Sequence, residues 1–146
     1  MEQNPDFSGR NIVGESLTWG HSQLATFVTG SRFQSCDITI ACGASGIIGH
    51  DNEFIDCTIR VKRFANFQFF YDEFEGCRFI GKFPGCEFGF RDGFPVGKRH
   101  GCLRNCDFTQ AVLDLVGFND GADLPTLRLP PWPHFLVPSY SAMAMV

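Results

Sequence analysis

Large apolar residues recur every five positions along most of this chain, and no regular helix or strand has that period. An α-helix repeats at 3.6 residues per turn and a β-strand at two. Stepping by five from Ile59 reaches Phe64, Phe69, Phe74 and Phe79. A second run joins Phe83 and Phe88 and, after two missed beats, Leu103, Phe108, Leu113 and Phe118. Upstream, Phe7, Ile12, Leu17 and Phe27 keep the step with one beat missing, and Phe33, Ile38, Ile48 and Phe54 follow with a miss at Gly43. The count slips by one residue at four joints, 27 to 33, 48 to 54, 79 to 83 and 118 to 124.

Two places ahead of these positions the residues are small: Ser31, Cys36, Cys57, Cys77, Cys86, Cys106, Ala111 and Ala122. The unit is small-x-large-x-x. Cys57 to Cys77 and Cys86 to Cys106 are each 20 residues, and Cys36 to Cys57 is 21. Twenty is four units of five, so internal repetition is the organising signal. Lys62, Phe67 and Asp72 occupy the small place, and a bulge or repacking is expected over Arg60–Asp72. A Phe-rich β-sandwich is the competing fold; single-residue slips carried across a twenty-residue period argue against it.

CDFTQ (106–110), AVLDL (111–115), CEFGF (86–90), CRFIG (77–81), CTIRV (57–61) and CDITI (36–40) carry the unit most clearly. From Phe7 to Leu124 the chain resembles the pentapeptide repeat family. The resemblance implies an all-β fold, a right-handed four-sided β-solenoid in which each unit makes one side and four make a coil. About six coils would fit, a rod on the order of 30 Å long at strand spacing. In that arrangement FEGCRF and FPGCEF are two core layers, with Phe and Cys pointing inward. The expected organisation is a solenoid over 1–124, a loop insertion at about 89–102, and a C-terminal cap or tail over 125–146.

The chain has 146 residues, enough for one domain. Its formal net charge is −4; this mild acidity gives no footprint for direct nucleic-acid binding. The opening MEQNPDFSGR lacks the apolar stretch of a signal peptide, and no apolar run is long enough to span a bilayer. A cytoplasmic location with no membrane partner is therefore expected. The seven cysteines are an odd number, better read as reduced core residues than as a disulfide framework.

The carboxylates Asp51, Glu53, Asp56, Asp72, Glu73 and Glu75 fall on outward sites of the repeat. Residues one coil apart should stack: Glu53 under Glu73, Lys62 under Lys82, Arg78 under Lys98. The segment GFRDGFPVGKRHG breaks the repeat and carries Arg91, Lys98, Arg99 and His100. It reads as an exposed loop on a rigid scaffold, where binding residues concentrate. His100, Cys102 and Cys106 have poor metal-ligand logic, because Cys106 belongs to the core repeat, and no metal or other cofactor is expected. The tail holds five prolines and no five-residue beat. Leu127, Leu129, Trp132, Phe135 and Leu136 are expected to cover the open end of the solenoid, with Trp132 as a possible partner anchor.

No catalytic constellation is visible, so the expected role is non-enzymatic protein binding. Candidate partner-binding residues are Glu53, Asp72, Glu73, Glu75, Arg91, Lys98, Arg99, His100 and Trp132. The most concrete expectation is an immunity-type neutraliser of a bacterial toxin or effector. The family resemblance implies an alternative, a DNA mimic that binds gyrase or another topoisomerase and gives fluoroquinolone tolerance. Mild charge, few coils and a Pro-rich tail argue against that transfer. A solenoid end could also pair two copies.

Overall fold

A computed structural model describes residues 6–21, 23–69, 71–90 and 101–131, together with the backbone of Leu136–Pro138 and Met143–Met145. Among them there is no α-helix. The chain winds as a parallel β-solenoid with four sides.

The first face stacks Asn11–Val13, Arg32–Gln34, Glu53–Ile55, Glu73–Glu75 and Cys102–Arg104, all parallel. The second stacks Ser16–Trp19, Asp37–Ile40, Thr58–Arg63, Arg78–Lys82 and Asp107–Val112 in the same way. The third is carried by backbone bonds alone, such as Phe64 N–H to Lys82 C=O (2.8 Å) and Phe83 N–H to Val112 C=O (3.0 Å). In the second coil a 3-10 turn, Ala44–Gly46, takes its place. The fourth face pairs Thr26–Phe27 with Ile47–Ile48, and separately stacks Gln68–Phe69, Glu87–Phe88 and Val116–Phe118. Five strands on a face make about four turns, fewer than the six coils expected from counting units. The stretches beyond the first and last full coils add only partial ones.

Why these residues wind this way is visible in the core. Phe33, Phe54 and Phe74 stack in one column, with ring centroids 5.1 and 4.9 Å apart and planes within 10°. Phe79 on Phe108 (4.6 Å) and Phe69 on Phe88 (4.8 Å) repeat the arrangement on other faces. These spacings match the 4.7–4.9 Å between hydrogen-bonded strands, so one ring per coil fills the interior without gaps. Cys36, Cys57, Cys77 and Cys106 form a second buried column at the seam between the first two faces. Each thiol donates to a carbonyl of the coil below, as Cys57 Sγ does to Phe33 O (3.4 Å). All seven cysteines are free thiols.

Corners need one residue of left-handed backbone. Gly14, Ser35, Asp56, Gly76 and Asn105, with φ between 52° and 69°, occupy it between the first and second faces. Gly, Asn, Asp and Ser suit this conformation because they have no Cβ or have short side chains that bond locally.

Several expectations are corrected. Phe27 and Ile48 are not core residues; they are 44% and 49% exposed, and Thr26, Val28 and Ile47 are buried instead. Val28 and Gly49 stand five residues before Phe33 and Phe54, so the extra residue of each long coil is absorbed earlier, at the third face. The register shift near the predicted bulge falls between Ile80 and Lys82. Phe67, at a small-residue place, packs between Phe64 (5.0 Å) and Phe69 (4.7 Å).

The ends are partly covered. Below, Phe7 N–H bonds to Phe27 C=O (2.7 Å) and the Phe7 ring lies 5.8 Å from that of Trp19. Above, Asp123 N–H bonds to Leu103 C=O and Arg128 N–H to Cys106 C=O, each at 2.9 Å. Leu124, Leu127 and Leu129 lean on the core there. Met143–Met145 runs antiparallel to Val116–Phe118, with Leu136–Pro138 beyond it. Trp132 and Phe135 lie outside the described residues.

Candidate functional site

The strand pleat turns alternate side chains outward, so the first face carries two outward rows. One row aligns Arg32, Glu53, Glu73 and Cys102; the other aligns Gln34, Ile55, Glu75 and Arg104. Glu53 and Glu73 are direct neighbours in register. Of the expected sites, the structure therefore brings three together: Glu53, Glu73 and Glu75. They line a groove of about 230 Å³ with Ile55, Cys102 and Arg104.

The charges in this groove are already partnered. Arg32 Nε donates to Glu53 Oε1 (2.8 Å), and the two side chains are 46% and 27% exposed. Arg104 Nε donates to Glu75 Oε2 (3.0 Å), while Asn105 Nδ2 donates to Glu75 Oε1 (2.7 Å). The Asn105 amide, and after it the Arg104 guanidinium, hold the Glu75 carboxyl below the usual range. Exposed pairs of this kind add little stability, ~0–1 kcal/mol each. They orient the carboxylates and leave a face of alternating sign. Arg32 and Arg104 were missed from sequence; their only signal was spacing, one coil below Glu53 and one above Glu75.

Among the described residues, Asp72 is the one predicted site residue that the structure removes from the surface. It is 6% exposed and points into the seam between the fourth and first faces. The reason is its position in the unit: it occupies the small inward place, two residues before Phe74. Asn52 and Ser31 hold the equivalent places one and two coils below. The three form a staircase in which each side chain caps the coil beneath. Asp72 Oδ1 accepts from Asn52 N–H (3.0 Å) and Asn52 Nδ2 (3.1 Å). Asn52 Oδ1 accepts from Ser31 N–H (3.0 Å), and Ser31 Oγ from Arg10 N–H (3.2 Å).

Two charge stripes also fail to form as expected. Lys82 stands opposite Arg63, not Lys62, after the register shift, and Arg78 stands opposite Asp107. Arg91, Lys98, Arg99 and His100 lie outside the described residues, as does Trp132. Cys102, at the end of the expected loop, belongs to a strand of the first face. Among the described residues no group of His, Cys, Asp or Glu is arranged to hold a metal ion.

Neither family models, nor curated proteins, nor solved structures give a match to this chain.

Proposed function

We propose that this protein is a non-enzymatic binding module of the pentapeptide-repeat type, and that it engages another protein through its first face. The observation that supports this most is the ordered row of outward carboxylates, Glu53 under Glu73 in strand register, set in a groove on a rigid sheet. Long-range steering and orientation by such charges act on association more than on raw affinity. The partner chemistry that fits is a basic segment flanked by carboxylates, because Arg32 and Arg104 border the row. The most concrete form of this reading is a neutralising partner of a bacterial toxin or effector acting in the cytoplasm.

The test is charge reversal. Glu53→Lys together with Glu73→Lys should abolish capture of the product of the neighbouring gene from host lysate, with the circular dichroism spectrum unchanged. Capture that survives both reversals would remove the first face from the reading. Inhibition of gyrase supercoiling by the unaltered protein would instead favour the DNA-mimic alternative.

A further inference from the structure

Two successive strands of the second face are rich in cations: Arg60, Lys62 and Arg63 on one, Arg78 and Lys82 on the next. Two of these are already partnered. Arg60 Nε donates to Asp37 Oδ1 (2.9 Å), and Arg78 stands in register with Asp107. The other three gather at the far end of the strands, at the corner with the third face. Lys62 and Arg63 are consecutive and both exposed, where strict alternation would turn one of them inward. The register shift between Ile80 and Lys82 then sets Lys82 directly opposite Arg63. Among the described residues no carboxylate pairs with Lys62, Arg63 or Lys82.

Like charges directly opposite each other weaken a sheet pair. A carboxylate from outside, set between the guanidinium and the ammonium, replaces that repulsion with two charge-assisted hydrogen bonds. The same row ends in an apolar side chain. Val112 faces Lys82 from the coil above and is 48% exposed.

We propose that this corner of the second face docks an extended acidic segment of a partner protein, one with a carboxylate residue and an apolar residue two places apart.

The spacing argues for that pattern. Successive strands lie about 4.8 Å apart, so the midpoint between Arg63 and Lys82 is about 7 Å from Val112 along the axis. Side chains on one side of an extended segment recur at about 6.7 Å. A segment laid along the axis therefore sets its carboxylate between the two cations and its apolar side chain on Val112 at once. A nucleic-acid strand fits less well. It offers no apolar side chain to Val112, and the net charge of −4 opposes a polyanion approaching the rest of the molecule. The site is separate from the carboxylates of the first face and does not depend on them.

The experiment is fluorescence anisotropy of a labelled peptide, Ser-Glu-Ser-Val written twice, titrated with the full chain at about 50 mM salt, where surface attraction is weakly screened. Arg63→Glu with Lys82→Glu should weaken binding about tenfold or more, since two charge-assisted bonds are lost. Arg10→Glu with Arg128→Glu makes the same change in net charge elsewhere and should leave binding within about twofold. Val112→Ser should weaken binding of this peptide but not of one with serine in place of valine. In wild type, ¹⁵N amide shifts on adding the peptide should centre on Lys62, Arg63, Lys82 and Val112, a readout that needs no variant to fold. Equal losses in the two double reversals overturn the proposal, as does the absence of binding to wild type. Tighter binding of a thymidine dodecamer through the same residues overturns it in favour of nucleic acid.

Discussion

Leu115 sits where the chain should have placed a glycine or an asparagine. Its φ is +54°, its side chain is 66% exposed, and the equivalent corners of the coils below hold Asn66 and Gly85. A branched side chain in left-handed backbone costs ~1–2 kcal/mol, and little buried area offsets it here. Leu115→Asn should therefore stabilise the protein by ~1 kcal/mol in chemical denaturation, by the left-handed penalty that asparagine relieves. A loss of stability would mean that Leu115 makes a contact outside the described residues. Gly81 shows the opposite case. Its φ is +115°, and a Cβ placed there would lie 1.9 Å from Val61 O, so the register shift on the second face needs the bare backbone. Residue identities at such places were legible in the sequence as glycines and asparagines. Which way a given residue faces was less so. Asp72 reads as surface charge until its place two residues before Phe74 is taken at face value.

At the scale of one element, the unit of cohesion is the ring column rather than the strand. A strand of three residues holds few hydrogen bonds, and stacking gives it direction: Phe74 lies between Phe54 below and the rings of Phe69, Phe79 and Phe88 beside it. Phe74→Ala should cost ~3–5 kcal/mol, the range for emptying a well-packed aromatic site. Equilibrium unfolding in urea measures it, and a cost below that of an ordinary surface change would show that the column collapses to refill the space. The five-residue period disclosed these columns because the ring-bearing residue of each unit is large. It misplaced the fourth face of the first two coils for a physical reason. An extra residue can be taken up anywhere along a 21-residue coil, and the place chosen ends at Gly49, which has no side chain to mark the beat. Thr26, inward and 2% exposed, is equally silent to a search for apolar residues. The carboxylate pairing of Glu53 and Glu73 was readable, since it needs only the 20-residue count between them. Arg63 opposite Lys82 was not, since the shift that sets it is a property of the folded ladder.

For the whole molecule, a solenoid whose coils touch only their neighbours should protect its interior in proportion to how well its ends are closed. The thiols report this directly. Cys36, Cys57, Cys77, Cys86 and Cys106 are buried, whereas Cys42 and Cys102 are partly exposed. Burial pushes the Cys86 thiol up to about 11, which further suppresses its reaction. Native protein should show two fast thiols toward a disulfide reagent at pH 8, and all seven after denaturation. More than two fast thiols would mean that the terminal coils open far more often than the middle ones.

The spacing of the coils also limits what can read the first face. Glu53 and Glu73 are one strand apart, about 4.8 Å along the axis. In an extended segment, side chains on one side come every second residue, about 6.7 Å apart. In a helix, residues three apart rise about 4.5 Å. Laid along the axis, an extended segment falls out of step by the second carboxylate, while a helix with basic residues at i and i+3 keeps stride. The pitch of the solenoid thus works as a gear, and a partner that meshes with both carboxylates through one segment is held to a helical tooth spacing.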